Sequence, residues 1–194
     1  MDNQKEKNIG LDAAVIRKVV DGDTDAFREL VERYQDGVYS YAYSITRNTA
    51  DARDITQEVF IRFFRNMEQF DARRPLSPYL LTITVNTARN LFRKNKRLVY
   101  SEDWASYDQM EVLSGEVPAP ADAIMAEERN DRVRLMLDRL PLRMREVCSL
   151  FYLSGNSCAE VAAILQTNEN AVKVALHRAR KKLLEISISE GCME

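Results

Sequence analysis

The sequence predicts an all-α protein made of two small helical domains joined by a flexible acidic linker. Apolar residues recur at helical spacing over long stretches, and the 194 residues include only six Gly and five Pro. Hydrophobic residues make up 45% of the chain and charged residues 30%, a composition typical of globular proteins. One long acidic segment interrupts the helical pattern. It predicts domains at 1–97 and 122–194, with the linker at 98–121.

In the first domain, a helical block is predicted to begin near Asp12, and Asp23 is a suitable N-cap for the long helix that follows. The apolar residues of this helix share one face: Ala26, Phe27, Leu30, Val31, Tyr34, Val38 and Tyr41. Asn48 and Thr49 interrupt the pattern, and the next helix has its own apolar stripe. That stripe comprises Ile55, Val59, Phe60, Phe63, Phe64 and Met67.

Residues 71–75 break that helix, and another is predicted from Leu76 to about Lys96. Pro78 fits in its first turn, where a missing N–H group costs little. Tyr79 and Phe92 fall on its apolar side, so their spacing favours core packing over base stacking. The C-terminal half of the helix is basic, which suits the negative end of the helix dipole.

In the second domain, helices are predicted from about Asp122 to Leu140 and from Pro141 to Leu153. A short apolar helix, a polar turn and a basic helix then span residues 157–183, which is the layout of a helix-turn-helix. Asn168 is a suitable N-cap for the second helix of the pair. The predicted inward residues are Val161, Ala162, Leu165, Ala171, Val172, Ala175, Leu176, Ala179 and Leu183.

The remaining face of this basic helix is predicted to contact DNA. The candidates near its N-terminal half, where base edges are contacted, are Asn170, Lys173, Val174 and His177. Arg178, Arg180 and Lys181 are better placed for phosphates. The segment also suits a plain helical packing module with a solvated basic end, because short Ala-rich helix pairs are common.

The net charge of −2 hides a strong segregation of charge. Residues 86–97 and 173–182 each hold five Lys or Arg and no acid, whereas residues 101–128 hold eight acids and no Lys or Arg. Phosphate neutralisation supplies much of the affinity of a DNA-binding protein. We therefore expect weak DNA binding by the chain alone and stronger binding when a partner holds both basic patches on one duplex.

Other classes of function are disfavoured. The three cysteines have no Cys-x-x-Cys spacing, which argues against a disulfide framework or a metal site. The first 97 residues contain no phosphate-binding glycine loop and no nucleophile–base pair, so we expect neither an enzyme nor a cofactor. No apolar run is long enough to cross a membrane, and no signal-peptide core is present. A free-standing helix-turn-helix regulator remains a rival, although no coiled-coil dimer seam is evident.

Five short motifs occur together, and with them the chain resembles a bacterial sigma factor of the extracytoplasmic-function (ECF) group of the sigma-70 family. They are Gly22-Asp23 with Ala26-Phe27, Asp51-Ala-Arg-Asp-Ile-Thr-Gln57-Glu58-Val-Phe60, Leu80…Ile83…Asn86…Arg93, Leu140-Pro141…Arg145-Glu146-Val147, and Val172-Lys173 with Leu176-His177-Arg178-Ala179-Arg180. Within this pattern, Tyr79 stands where the family usually has Trp. Val174 and Ala175 replace polar residues, which favours apolar contacts such as those to thymine methyl groups.

The resemblance implies that the chain binds core RNA polymerase and promoter DNA. The first domain would be sigma region 2 and the second sigma region 4. The implied polymerase-binding residues are Asp51, Asp54, Gln57 and Glu58. The implied readers of the minus-ten element are Asn86, Arg89, Asn90, Arg93, Lys94 and Arg97, and the basic helix of the second domain would read the minus-thirty-five element.

The resemblance also implies control by an anti-sigma factor that masks both domains. It implies a cytoplasmic location, at the inner membrane face where the anti-sigma factor is itself a membrane protein.

Overall fold

The computed structural model describes residues 2–94, Tyr107 and residues 135–189. For residues 2–5, 187 and 189 it describes the backbone alone. The predicted all-α class is confirmed, since the described residues form helices and turns and no strand. The chain divides into two compact units, Met1–Leu91 and Phe92–Glu194. The linker predicted at 98–121 lies outside the described residues except for Tyr107. No helix in the described ranges is long and apolar enough to span a membrane.

The first unit contains α1 (Asp2–Val20), α2 (Phe27–Thr46), α3 (Thr49–Asn66) and α4 (Leu76–Lys94), except for the last three residues of α4. The predicted start near Asp12 was wrong, because the polar residues before it continue the helix without an apolar pattern to reveal it. Asp23 caps a short 3-10 turn, Thr24–Ala26, and α2 begins directly after that turn. Pro78 lies in the first turn of α4, as predicted.

The turn between α2 and α3 is fixed by two adjacent residues. Arg47 ends α2 in the left-handed conformation, with φ at 53°. Asn48 follows in extended conformation, and its Oδ1 accepts hydrogen bonds from the backbone N–H groups of Ala50 and Asp51 at 2.9 and 3.0 Å. These bonds satisfy two of the N–H groups that a helix start leaves without partners. The chain therefore reverses in two residues, and α3 packs back along α2.

The core of the first unit lies where α2, α3 and α4 meet. Leu30, Val59 and Phe63 are completely buried there. The Phe63 ring lies at the centre of an aromatic cluster, with ring centroids 5.8 to 6.1 Å from those of Phe27, Phe70 and Tyr79. Aromatic pairs at this spacing contribute more than their buried area alone.

A polar contact joins α1 to α2. The carboxylate of Asp12, which is only 3% exposed, accepts hydrogen bonds from the Arg33 guanidinium and from the Tyr34 hydroxyl. Burial, and next the contact with Asp12, raise the pKa of Tyr34. The hydroxyl therefore stays protonated and remains a donor, which satisfies a carboxylate that would be costly to bury alone.

The second unit contains α5 (Leu142–Cys148), a π-helical segment (Ser149–Leu153), α6 (Cys158–Leu165) and α7 (Glu169–Ser189). Ser157 and Glu160 form a capping box at the start of α6, with Ser157 N–H donating to Glu160 Oε2 at 2.7 Å. Asn168 Oδ1 accepts from the Ala171 N–H at 2.8 Å, which confirms the predicted N-cap of α7.

The predicted packing of the helix pair is confirmed with one exception. The inward residues of α6 and α7 are at most 6% exposed, whereas Leu183 is half-buried. The helix predicted from Asp122 is described only from Leu135 onward. Tyr107, which falls within the stretch predicted as the linker, has a completely buried side chain.

Two neighbouring phenylalanines of α3 should differ sharply in their contribution to stability. Phe63→Ala removes a buried ring and should cost about 3–5 kcal/mol, because the cavity cannot fully collapse. Phe64 is 44% exposed, so Phe64→Ala should cost only about 1–2 kcal/mol. Urea denaturation of the full chain, followed by circular dichroism, measures both. Equal losses would contradict the placement of the core.

Candidate docking and nucleic-acid surfaces

The four polar residues predicted on α3 share one surface of the helix. Asp54 and Gln57 are exposed, and Asp51 and Glu58 are half-buried. Glu58 Oε1 accepts a hydrogen bond from Arg62 Nε at 2.6 Å, one turn further on. Because α3 is held by its N-cap and by packing on α2, the stripe is a rigid acidic surface.

An apolar groove of about 570 Å³ adjoins this stripe, between α2 and α3. Its apolar lining consists of Phe27, Val31, Tyr39, Phe60, Ile61 and Phe64. The polar stripe reaches the groove at Gln57, whose side chain forms part of the wall. Ile61 and Phe64 are 37% and 44% exposed, so water covers apolar surface that a partner could bury.

This groove was not predicted, although the sequence contains a signal for it. Phe63 and Phe64 both belong to the apolar stripe of α3, and both rings contact Phe27. Consecutive helical residues point about 100° apart, so Phe63 is buried while Phe64 lies at the edge of the stripe and lines the groove. A large apolar residue at the edge of such a stripe indicates a second contact surface.

The candidate minus-ten residues follow one side of α4. Asn86, Arg89 and Asn90 are half-buried, and Arg93 and Lys94 are exposed near the end of the helix. Arg97 lies outside the described residues. The positions of these residues at intervals of three and four give α4 a side that is polar in its middle and cationic at its end.

The aromatic residues of α4 serve the core. Phe92 is 4% exposed, and the Tyr79 ring centroid lies 4.8 Å from that of Phe70. The prediction that they pack inward is confirmed. In the loop before α4, Arg73 Nε donates to Asp71 Oδ1 at 2.9 Å, on the surface of the protein.

The candidate DNA residues of α7 differ in their surroundings. His177 and Lys181 are exposed, and Asn170 is half-buried. The Lys173 ammonium forms an ion pair with Glu169 at 2.8 Å. Val174 was predicted on the outer face, and this was wrong in the described structure, where it is only 4% exposed.

Two arginines of α7 are held by aromatic rings. The Arg178 guanidinium lies 4.6 Å from the ring centroid of Tyr107, which is within cation–π distance. Arg180 Nε donates a hydrogen bond to the Tyr152 hydroxyl at 2.8 Å, and its guanidinium lies 5.9 Å from the same ring. Arg180 therefore ties α7 to the π-helical segment, a structural contact that the sequence analysis did not predict.

The environment of Cys148 is apolar. Its side chain is 1% exposed, and burial raises the pKa of the thiol to about 12, against a smaller lowering effect of Arg180. Cys158 is half-buried, and burial also raises its pKa. No group of three His, Cys, Asp or Glu residues in the described ranges is arranged to hold a metal ion.

Comparison with protein families decides the identity of these two units. Residues 30–98 match the model of sigma-70 region 2, and residues 130–183 match that of sigma-70 region 4. The ECF RNA polymerase sigma factor SigW of Bacillus subtilis (strain 168) is 33% identical over 175 residues, which cover 87% of this chain and 92% of the relative. The chain belongs to the ECF sigma factors.

Other relatives and solved structures agree. The ECF RNA polymerase sigma-E factor of Escherichia coli (strain K12) is 30% identical over 176 residues, covering 89% of this sigma factor and 92% of the relative. The structure of CnrH in complex with the cytosolic domain of CnrY matches with a TM-score of 0.64 and 25% identity, covering 92% and 97% of the two chains. The sigma factor RpoE of Bartonella quintana shares the fold, with a TM-score of 0.60 and 23% identity over 82% and 94%.

Membership of the family gives the two units their functions. A sigma factor binds core RNA polymerase and directs transcription initiation at promoters, and the family consists of transcription regulators. Helices α3 and α4 lie within the region 2 match, and α5 and α6 lie within the region 4 match.

The two described thiols of this sigma factor should differ in reactivity. In a Cys158→Ser/Cys192→Ser variant, only Cys148 remains, and Ellman's reagent at pH 8 should label it only as the protein unfolds. The matched Cys148→Ser/Cys192→Ser variant retains the half-buried Cys158 and should react sooner. Because burial raises the pKa of Cys148 in the folded state, this thiol should also cost stability as the pH rises from about 9 to about 12. Rapid labelling of Cys148 in the folded protein would contradict its burial.

Proposed function

We propose that this sigma factor docks on core RNA polymerase through α3, reads the minus-ten element with α4 and reads the minus-thirty-five element with α7. The observation that carries the proposal is the position of Gln57 in the wall of an open apolar groove, with the exposed Asp54 three residues earlier on α3. Protein interfaces commonly combine an apolar centre with a polar rim. The two features together form such a surface.

The docking surface fits a basic partner with an apolar ridge. The carboxylates of Asp51, Asp54 and Glu58 complement positive charge, which steers association and fixes orientation. The groove would accept the apolar side chains, and burying the exposed parts of Ile61 and Phe64 would supply affinity. Since the partner in this family is a large enzyme, the same contact fixes where α4 meets the promoter.

The minus-ten proposal divides α4 into two parts. Asn86 offers both a donor and an acceptor for a base edge, and Arg89 and Asn90 continue that side of the helix. Arg93 and Lys94 are exposed at the cationic end and suit backbone phosphates. Arg97 is proposed for the same role from its position in the sequence. Reading the minus-ten element in this way includes turning a base out of the DNA stack. This costs a few kcal/mol, which the contacts of α4 must offset.

The minus-thirty-five proposal rests on the exposed part of α7. His177 and Lys181 are open to contact, and Asn170 and Lys173 lie near the N-terminal half of the helix, where a helix-turn-helix meets base edges. The Glu169–Lys173 ion pair is exposed and therefore weak enough for phosphate to replace it. Arg178 and Val174 belong to the same proposed surface, although Val174 is 4% exposed and the half-buried Arg178 contacts the Tyr107 ring.

Control by an anti-sigma factor and the domain limits are part of the proposal. CnrH is bound to the cytosolic domain of CnrY in its solved structure, and a comparable inhibitor would suit this chain. The proposed limits are 1–97 for region 2, 98–121 for a flexible linker and 122–194 for region 4. The proposed site of action is the cytoplasm, where the polymerase works, without catalysis by the chain itself.

Transcription in vitro tests the function as a whole. Purified chain and core polymerase are incubated with fragments of the source genome, and start sites are mapped. Initiation at a defined set of promoters is expected only when the chain is present. A free-standing regulator would instead bind duplex DNA tightly and selectively while failing to associate with the core enzyme.

Two exposed side chains of α3 should control polymerase binding. Asp54→Ala combined with Gln57→Ala should raise the dissociation constant for core polymerase at least about tenfold, because Gln57 forms part of the groove wall and Asp54 is the exposed carboxylate three residues before it. The matched control is Glu68→Ala with Gln69→Ala, which removes the same chemical groups from an exposed turn outside the stripe. Biolayer interferometry measures both. Unchanged affinity of the first variant would refute the docking assignment.

The cationic end of α4 should contribute to promoter opening and not to the binding of core polymerase. Arg93→Ala combined with Lys94→Ala should slow promoter opening severalfold, because backbone contacts are lost, while polymerase affinity stays unchanged. Permanganate footprinting measures opening. Arg17→Ala with Lys18→Ala serves as the control, since these residues are an exposed basic pair at the end of α1. Loss of polymerase binding by the α4 variant would show that the two surfaces were assigned wrongly.

A further inference from the structure

Tyr107 makes an unexpected contact with α7, the second helix of the helix-turn-helix. Its side chain is completely buried, and the Arg178 guanidinium lies 4.6 Å from the centroid of its ring. A cation within about 6 Å of an aromatic face is attracted to it, and the attraction is stronger where water is excluded. Tyr107 belongs to the stretch between the two family regions, so this contact is not part of the helix-turn-helix itself.

Val174 shows that the covered area extends along α7. The side of α7 that packs on the rest of the second unit carries Val172, Ala175 and Leu176, all completely buried. Val174 lies about 60° around the helix from the completely buried Ala171, at the edge of that side. It is 4% exposed, and Arg178 lies one turn further on, next to the same edge. Arg178 is half-buried there, and its guanidinium contacts the Tyr107 ring.

The charge of the surrounding sequence favours the same interpretation. Tyr107 lies in the stretch 101–128, which holds eight acids and no Lys or Arg. Residues 173–182 of α7 hold five Lys or Arg and no acid. By sequence, this stretch carries the same sign of charge as a DNA backbone, and a cationic helix attracts negative charge of either kind. An aromatic ring on Arg178 adds a specific contact to that general attraction.

We propose that Tyr107 is an intramolecular competitor of DNA: its ring occupies the Arg178 guanidinium of α7, and duplex DNA binds to Arg178 only after displacing the ring. The proposal rests on the proposed role of α7 in DNA binding and adds its regulation. Only chains in which Tyr107 has left Arg178 are competent to bind duplex DNA there. The apparent affinity for the duplex is therefore reduced to the fraction of chains in that state. A cation–π contact of ordinary strength corresponds to a reduction of about 5- to 30-fold.

The test compares full-length variants in binding to a fluorescein-labelled 30-base-pair duplex of random sequence at low ionic strength. Fluorescence anisotropy gives the dissociation constant. Tyr107→Ala should tighten binding by about 5- to 30-fold, and Tyr107→Phe, which keeps the ring, should tighten it much less than Tyr107→Ala. Tyr107→Leu keeps apolar bulk without an aromatic face and should resemble Tyr107→Ala. This second variant supports the measurement if the alanine variant is unstable, as judged by circular dichroism.

Two further variants identify the contact. Tyr43→Ala, an exposed tyrosine of α2, is the control and should leave duplex affinity unchanged. In an Arg178→Ala background, Tyr107→Ala should no longer tighten binding, because the partner of the ring is absent. A folded Tyr107→Ala or Tyr107→Leu protein that binds no more tightly than the wild type would overturn the competitor role while leaving the DNA role of α7 intact. If none of the variants binds duplex, and the chain also fails to direct initiation with core polymerase, both proposals are overturned.

Discussion

The two-residue reversal between α2 and α3 determines the surface on which the proposed function depends. Arg47 in the left-handed conformation and the Asn48 cap turn the chain, and α3 then packs along α2. The core contact of Phe63 sets the rotation of α3 about its own axis. That rotation leaves the acidic stripe exposed and opens Phe64 to the groove. A small change at the turn would therefore alter the stripe and the groove together.

Residues whose role is set by local geometry were predicted well from the sequence. The spacing of small apolar residues identified the buried side of α7, and the residue type at Asn168 identified its N-cap. Pro78 marked the first turn of α4 for the same reason, since proline is tolerated only where no N–H donor is needed. Such features depend on a few neighbouring residues, so the chain itself carries the information.

Contacts between distant parts of the chain were not predictable in the same way. Arg180 belongs to a basic run that appeared suited to phosphates, yet it donates to Tyr152, 28 residues away. Val174 and Tyr107 appeared exposed by helical position and by composition, and both are buried. Each error arose because an amphipathic pattern shows which side of a helix packs on its nearest partner. It contains no information about how far around the helix further contacts extend.

The contacts of α7 separate two roles within one basic helix. Arg180 lies on the flank next to the π-helical segment, where its hydrogen bond to Tyr152 fixes the position of the helix. Arg178 lies on another flank, where DNA would have to replace its contact with Tyr107 and its other interactions. A cationic helix that bound every duplex would hold the chain on non-promoter DNA, because the phosphate term is independent of sequence. Covering Arg178 lowers the sequence-independent affinity of the free chain for DNA. A polymerase that holds both units on one promoter restores DNA binding by raising the effective concentration of DNA at α7.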